Sequence, residues 1–371
     1  MKAVLRSQIA LTMVRGLGPV QAKSLLTHFD IEELFLIDKA TLLQAQVLTA
    51  SAAESLIHFA DWERVEKEIR FIEKNNIDPL FITDNGYPTR LLTCHDAPVL
   101  LYYKGSSSLN SNRIIAVVGT RDCTRQGMQA TEELIAQLAP YDVTIVSGLA
   151  LGIDSVAHQT ALQNGLPTIA VLPLGLDAIY PALNRSLARQ LLKAEGGLLT
   201  ESMTDHKSDS YLFPRRNRIV AGMSDATIVI ESGNKGGSLI TARLAADYGR
   251  DVFALPGRVS DTKSKGCHQL IKQQVALLAE SGEDIARWLG WEKIAPDKED
   301  VKKRPKNKEL VKVLSPFERD VLALLERETA ISTDQLKISL KEEIKHLATA
   351  LINLELAGLI VSLPGNRYQS L

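Results

Sequence analysis

The chain has 371 residues, 45% of them hydrophobic, and 43 Lys plus Arg against 44 Asp plus Glu give a net charge of −1. That length exceeds one ordinary core and fits two or three domains, and no apolar run approaches membrane-spanning length. The near-neutral total demands no polyanionic partner, so any nucleic-acid surface must come from local clustering of charge.

At the N-terminus Lys2, Arg6 and Arg15 flank a short apolar stretch broken by Ser7 and Gln8, which fails as a secretory signal. Cys94, Cys123 and Cys267 lie far apart with no C-x-x-C pair, which argues against a disulfide framework and against a zinc site. A reducing cytoplasm with no metal is the expectation. Residues 1–75 show helical periodicity, with Trp62, Val65, Ile69 and Ile72 on one face of a charged segment. Between two of these helical segments, Gly16 and Gly18 form a G-x-G-x-x-x-A turn ending at Ala22. Two readings stay open: a helix-hairpin-helix whose backbone N–H groups meet a phosphate, or a tight interhelical turn that needs glycine for geometry alone.

From residue 78 to 285 short β-branched runs alternate with amphipathic segments, the pattern of a parallel sheet covered on both faces. The runs are IIAVVG (114–119), VTIVSG (143–148), PTIAVLP (167–173), GLLTES (197–202), ATIVIES (226–232) and DVFALPG (251–257). Polar and glycine residues collect just after them, where open α/β sheets bind ligands. These are Gly119, Thr120 and Arg121, with Arg125 further on; Ser147, Gly148 and Asp154; and Ser232, Gly233, Lys235, Gly236, Gly237 and Ser238. One such loop merely ends a strand, but three in register along one edge favour a phosphate or sugar-phosphate site.

The segment Tyr211 to Gly222 places Arg215, Arg216, Asn217 and Arg218 at a helix start, with Pro214 expected at the first helical position. Arginines and a helix N-terminus hold phosphates, and Phe213 is suited to stack on an unpaired base. The run from Arg216 to Arg218 leads into Ile219, Val220 and Ala221, so the helix packs on the sheet with its start near the ligand edge. Tyr180, Pro181 and Asn184 mark a further loop on this rim, and His158 reads as a packing or capping residue. Residues 291–310 turn charged and lose periodicity, with Lys302, Lys303, Arg304, Lys306 and Lys308 around Pro305, and read as a linker. Residues 311–371 carry helix-like segments at 316–328, 333–340 and 341–356, then two short strands around a Pro-Gly turn, a winged-helix arrangement.

In order and spacing, VVGTR (117–121), SGLALGIDSVAH (147–158), TIAVLPLGLDAIYPALN (168–184), FPRRNRIVAGMS (213–224), GGSLITA (236–242) and GRDVFALPG (249–257) resemble the DprA (DNA-processing protein A, or Smf) family. The flanking segments resemble that family's outer domains as well. The resemblance implies a Rossmann-like α/β domain between an N-terminal helical, SAM-like domain and a C-terminal winged helix. It implies a single-stranded-DNA-binding mediator that protects incoming strands, dimerises through the Rossmann-like domain and loads the recombinase RecA during natural transformation. It also carries DNA contact onto Arg121, Phe213, Arg216, Asn217, Arg218 and the Gly236-Gly237-Ser238 loop.

A nicotinamide enzyme is excluded because Gly119-Thr120-Arg121-Asp122 breaks the G-x-G-x-x-G fingerprint. The rival is a nucleotide-hydrolysing phosphoribohydrolase on the same sheet edge, which needs a carboxylate beside its glycine-rich loop. Residues 233–246 contain no Asp or Glu, leaving only Asp154, placed to cap a helix, and Glu201. The expectation is therefore binding without catalysis and without a cofactor. The segment Lys341 to His346 mixes acids with bases, which suits a protein-docking or weak DNA role better than groove reading.

Overall fold

Where helical periodicity governs the sequence, the backbone forms α1 (Lys2–Met13), α2 (Pro19–Leu26), α3 (Lys39–Gln44), α4 (Ala50–Ile57) and α5 (Trp62–Asn75). The computed structural model describes residues 2–205, 209–294, 315–325, 331–340, 344–356, 359–363 and 367–370. The chain divides into two units, Met1–Ile294 and Ala295–Leu371. Side chains of Asp38 and Thr49 cap α3 and α4 by accepting from the N–H groups of Thr41 and Ala52. As its spacing requires, α5 buries Val65, Ile69 and Ile72, while Trp62 is half-buried. The helices close over Ile9, Leu25, Leu42 and Leu56, and the same apolar cluster takes in Phe81, Leu100 and Met203 from the segment that follows. Helical region and sheet therefore share a core within the first unit.

That segment runs β1 (Asp78–Phe81), α6 (Thr89–Leu92), β2 (Leu100–Gly105), β3 (Ile114–Val118), α7 (Arg125–Leu138), β4 (Thr144–Ser147), α8 (Ile153–Gln163) and β5 (Thr168–Val171). It continues as α9 (Arg185–Lys193), β6 (Gly197–Thr200), α10 (Leu212–Gly222), β7 (Ala226–Val229), α11 (Gly237–Asp247), β8 (Asp251–Ala254), α12 (Lys265–Lys272), β9 (Leu277–Leu278) and α13 (Gly282–Trp288). The nine strands lie in the order β1-β2-β6-β5-β4-β3-β7-β8-β9. From β6 to β9 the neighbours are parallel, and β1 and β2 add an antiparallel edge. The expected α/β class and its six β-branched strands are present. β3, β4, β5 and β7 are buried throughout, which explains their continuous apolar runs. Successive strands step away from β3 to β6, then the chain returns to place β7 on β3's other side. Such a reversal opens a crevice at the carboxyl ends of β3 and β7.

The second unit contains α14 (Pro316–Leu325), β10 (Ile331–Ser332), α15 (Thr333–Leu340), α16 (Ile344–Leu356), β11 (Ile360–Leu363) and β12 (Arg367–Ser370). Its core gathers Val321, Leu325, Leu336, Leu347, Leu351 and Leu354 under the antiparallel sheet β10-β12-β11. Three helices and a hairpin give the expected winged helix, with β10 as an added short strand. Most of the linker (295–310), residues 326–328 and 341–343, and the Pro-Gly turn between β11 and β12 (364–366) lie outside the described residues.

Candidate nucleic-acid interface

The loops after β3 and β7 meet at the strand reversal. Thr120 N–H donates to Glu231 O at 2.8 Å, which ties the two loops together. Gly152, at φ +77°, turns the chain into α8, and a Cβ there would stand 2.2 Å from Thr120 O, so only glycine permits this nesting. The arrangement leaves Arg121 exposed at the rim, its guanidinium 5.1 Å from the centre of the Phe213 ring. Tyr180 meets the same ring edge-on at 5.3 Å and is itself exposed. Phe213 therefore stands between a cation and a second aromatic.

Beneath this rim lies a frame of buried charge. The guanidinium of Arg216 is buried, and Nη1 donates to the carbonyls of Gly148 and Val171 while Nε donates to Asn217 Oδ1 at 3.2 Å. A Cβ on Gly148 would fall 2.2 Å from Nη1, so any larger residue here would have to push this guanidinium off the loop. On the loop's other side the buried Asp154 carboxylate accepts from the N–H groups of Gly148 at 3.2 Å and Ala150 at 3.3 Å. Burial pushes the Asp154 carboxyl up, with the Arg216 charge opposing, and burial lowers Arg216 to about 10. His158 is fully enclosed next to them. Thr168 Oγ1 donates to Ile145 O at 2.9 Å, so it accepts from His158 Nδ1 at 2.7 Å. Burial, and then the Arg216 charge, push this imidazole down to about 3, and it stays neutral.

These pieces enclose a cleft of about 530 Å³ walled by Arg121, Tyr180, Phe213, Asn217, Lys235 and the Gly236-Gly237-Ser238 loop. That loop opens α11, whose N-cap Gly236 offers no side-chain acceptor; Leu239 N–H turns back to Gly236 O at 3.1 Å, and the N–H groups of Gly237 and Ser238 are left to an anion. Asn217 Nδ2 donates to Gly237 O at 3.3 Å and Ser238 Oγ to Ser232 Oγ at 2.9 Å, which fix the loop. Among the described residues neither Arg121 nor Lys235 forms an ion pair, and Asp154 is the only carboxylate in the cleft lining. The surface is cationic, rich in N–H donors and aromatic, and can bind phosphates beside a stacked ring.

The candidate residues Gly119, Arg121, Gly148, Phe213, Arg216, Asn217, Lys235, Gly236, Gly237 and Ser238 all line this cleft. Ser147 does not: it is buried and donates to Val117 O at 2.7 Å. Arg218 is also absent from the wall, being buried and donating to Asp96 O and the Glu201 carboxylate, which Arg215 also reaches at 3.0 Å. Glu201 is therefore consumed in ion pairs. α10 starts at Leu212, so Pro214 occupies its third position rather than its first, still where an N–H has no helical partner. At the N-terminal turn Gly16 has φ +79°, Gly18 N–H donates to Gln21 Oε1 at 3.1 Å, and Pro19 supplies no N–H. The Gly18 N–H is thus spent on capping α2, while Leu17 N–H turns back to Val14 O at 3.2 Å. Sequence reading missed Glu231, two residues ahead of the Gly233 loop. It is buried and accepts from Thr124 N at 2.9 Å and Thr124 Oγ1 at 2.5 Å, holding the start of α7.

Comparison with known proteins agrees with this architecture. A family model described as DNA recombination-mediator protein A matches residues 78–290, and one described as the DprA winged helix domain matches residues 305–366. DNA processing protein DprA of Streptococcus pneumoniae is 46% identical over 204 residues, 55% of this chain and 71% of that protein. Protein Smf of Escherichia coli is 35% identical over 335 residues, 88% of this chain and 86% of its own. The X-ray structure of the S. pneumoniae protein aligns with a TM-score of 0.66 at 36% identity, covering 77% of this chain and 98% of that one. A Helicobacter pylori DNA processing protein A, described for its single-stranded DNA binding mode, aligns with a TM-score of 0.52 at 32% identity over 57% of this chain and 95% of its own.

Proposed function

The chain belongs to the DNA recombination-mediator protein A (DprA) family, and from that premise we propose that its cleft holds single-stranded DNA without reacting with it. The observation that carries this reading is Arg121 poised over Phe213 beside the uncapped start of α11. Arg121 and Lys235 pair with backbone phosphates, and the N–H groups of the Gly236-Gly237-Ser238 loop donate to a phosphate oxygen. Phe213 stacks on an unpaired base, a contact that every base can make, so binding tolerates sequence and disfavours a duplex whose bases are already stacked. Arg216 and Asp154 work from beneath, holding the Gly148 loop in place. Binding is favoured over hydrolysis because the Asp154 carboxylate already accepts two backbone N–H groups and is buried.

The family role extends this reading to protection of incoming strands and RecA loading in natural transformation, carried out in the cytoplasm by a homodimer joined through the Rossmann-like domain. The outer edge of the sheet, where β9 ends the order and Leu278 and Trp288 are exposed, is where we place the second copy. Two clefts on one particle would raise each other's effective concentration. The winged helix is read as a module for protein docking or weak DNA contact.

Fluorescence anisotropy with matched single-stranded and duplex oligonucleotides tests the cleft. Wild type is expected to prefer the single strand, and Phe213→Ala to lose about 1–3 kcal/mol of that binding. Equal affinity for both forms, unmoved by Arg121→Ala and Phe213→Ala, would remove the assignment.

A further inference from the structure

A second cationic feature begins where the cleft ends. Arg185, Arg189 and Lys193 stand at i, i+4 and i+8 of α9 and are all exposed. The opposite side of the helix buries Leu187, Ala188 and Leu191, so the three cations share the solvent face. None forms an ion pair among the described residues. α8 packs beside α9, and across both helices the one carboxylate is the buried Asp154. Their outer surface consists instead of the three cations with Gln159, Gln163, Ser186 and Gln190. A solvated helix face ordinarily mixes signs, and this one does not.

The stripe is fixed to the cleft. Buried Asn184, immediately before α9, donates through Nδ2 to Leu149 O at 2.8 Å, Ala150 O at 3.3 Å and Ser155 Oγ at 2.9 Å. Those are the residues of the Gly148 loop and the start of α8. Tyr180, four residues earlier, lines the cleft, and Leu183 between them is 79% exposed. The helix follows β5, so its start lies at the carboxyl edge of the sheet and its length leads away from the crevice. Four residues of helix rise about 6 Å, so the cations form a ladder about 12 Å long whose rungs suit successive phosphates of an extended strand.

We propose that α9 is an exit track: a single strand leaving the cleft past Tyr180 and Leu183 lays its phosphates along Arg185, Arg189 and Lys193. This deepens the single-strand reading of the cleft and rests on it. The track sets the length of strand bound, and it contributes charge without base contacts.

The test uses the full chain, wild type against Arg185→Gln/Arg189→Gln/Lys193→Gln, with oligonucleotides of about 6 and about 20 nucleotides that fill the cleft alone or overrun it. Three lost phosphate contacts should reduce the salt slope for the long strand by about 2, so that a fourfold rise in salt weakens wild type roughly 15–20-fold more than the variant. Binding of the short strand should be unchanged, which also reports that the variant is folded. Arg121→Ala is the control and should weaken both lengths. If the triple variant keeps the wild-type slope on the long strand while Arg121→Ala weakens both, the track is wrong and the cleft stands. If Arg121→Ala changes neither length, the cleft reading fails and the track falls with it.

Discussion

Replacing Arg216 by Ala separates support of the cleft from contact with the strand. Its guanidinium is buried and holds the carbonyls of Gly148 and Val171. Hydrogen bonds to a charged group are worth about 1.5–3 kcal/mol each, so losing two costs on the order of 3–6 kcal/mol. Asp154 would also lose the charge that opposes its desolvation. At about 2 °C per kcal/mol for a large domain, the thermal midpoint should fall by roughly 6 °C or more. Gly148→Ala, whose Cβ would overlap this guanidinium, should cost little more in the double variant than Arg216→Ala costs alone, because both break one contact. By contrast Arg121 is exposed, and Arg121→Ala should stay within about 0.5 kcal/mol of wild type while losing single-strand affinity. Calorimetry with anisotropy on the same samples reads both effects. An Arg216→Ala protein with the wild-type midpoint and the binding defect of Arg121→Ala would refute the reasoning, since Arg216 would then act by touching DNA.

Acid should destabilise the fold through His158. Its folded value of about 3 lies below the unfolded 6.5, so the unfolded chain takes up the proton first. The neutral imidazole therefore supports the fold fully above pH 6.5, and that support is lost as pH falls toward 3, on the order of 5 kcal/mol in all. Urea midpoints at pH 7 and pH 4 should converge in His158→Met relative to wild type, and an unchanged pH dependence would count against this assignment. Incubation with nucleoside monophosphates should release no free base, as followed by chromatography. Release abolished by Asp154→Asn would replace binding with hydrolysis. A Glu231→Gln variant should lose about 1–2 kcal/mol of stability, since it weakens the acceptor for Thr124 at the start of α7, with single-strand affinity kept.

The parallel strands were readable because burial on both faces leaves continuous apolar runs such as Ile114–Val118. β1 and β9 gave no such signal: the first is four residues beginning Asp78-Pro79, the second only Leu277 and Leu278, and both owe their strand state to a neighbour. Glycines after the strands located the cleft because close approach leaves no room for a Cβ. The basic run at 215–218 was harder to divide. Successive helical residues turn by about 100°, so one cluster in sequence is dealt to several surroundings. Arg216 goes beneath the Gly148 loop and Arg218 to Glu201 and Asp96, while Arg215 stays exposed. At Gly18 the missing signal was Gln21, whose side chain takes the N–H that a phosphate would need. Identity of residue type could not reveal which partner each side chain meets.

The most direct test of the central claim is photocrosslinking of a single strand carrying 5-iodouracil, with the adducts mapped by peptide mass spectrometry. A strand held in the cleft should crosslink to the aromatic pair Phe213 and Tyr180, and the yield should fall in Arg121→Ala and with rising salt. Adducts confined to residues 316–370, or spread over the first unit and indifferent to Arg121→Ala, would contradict it.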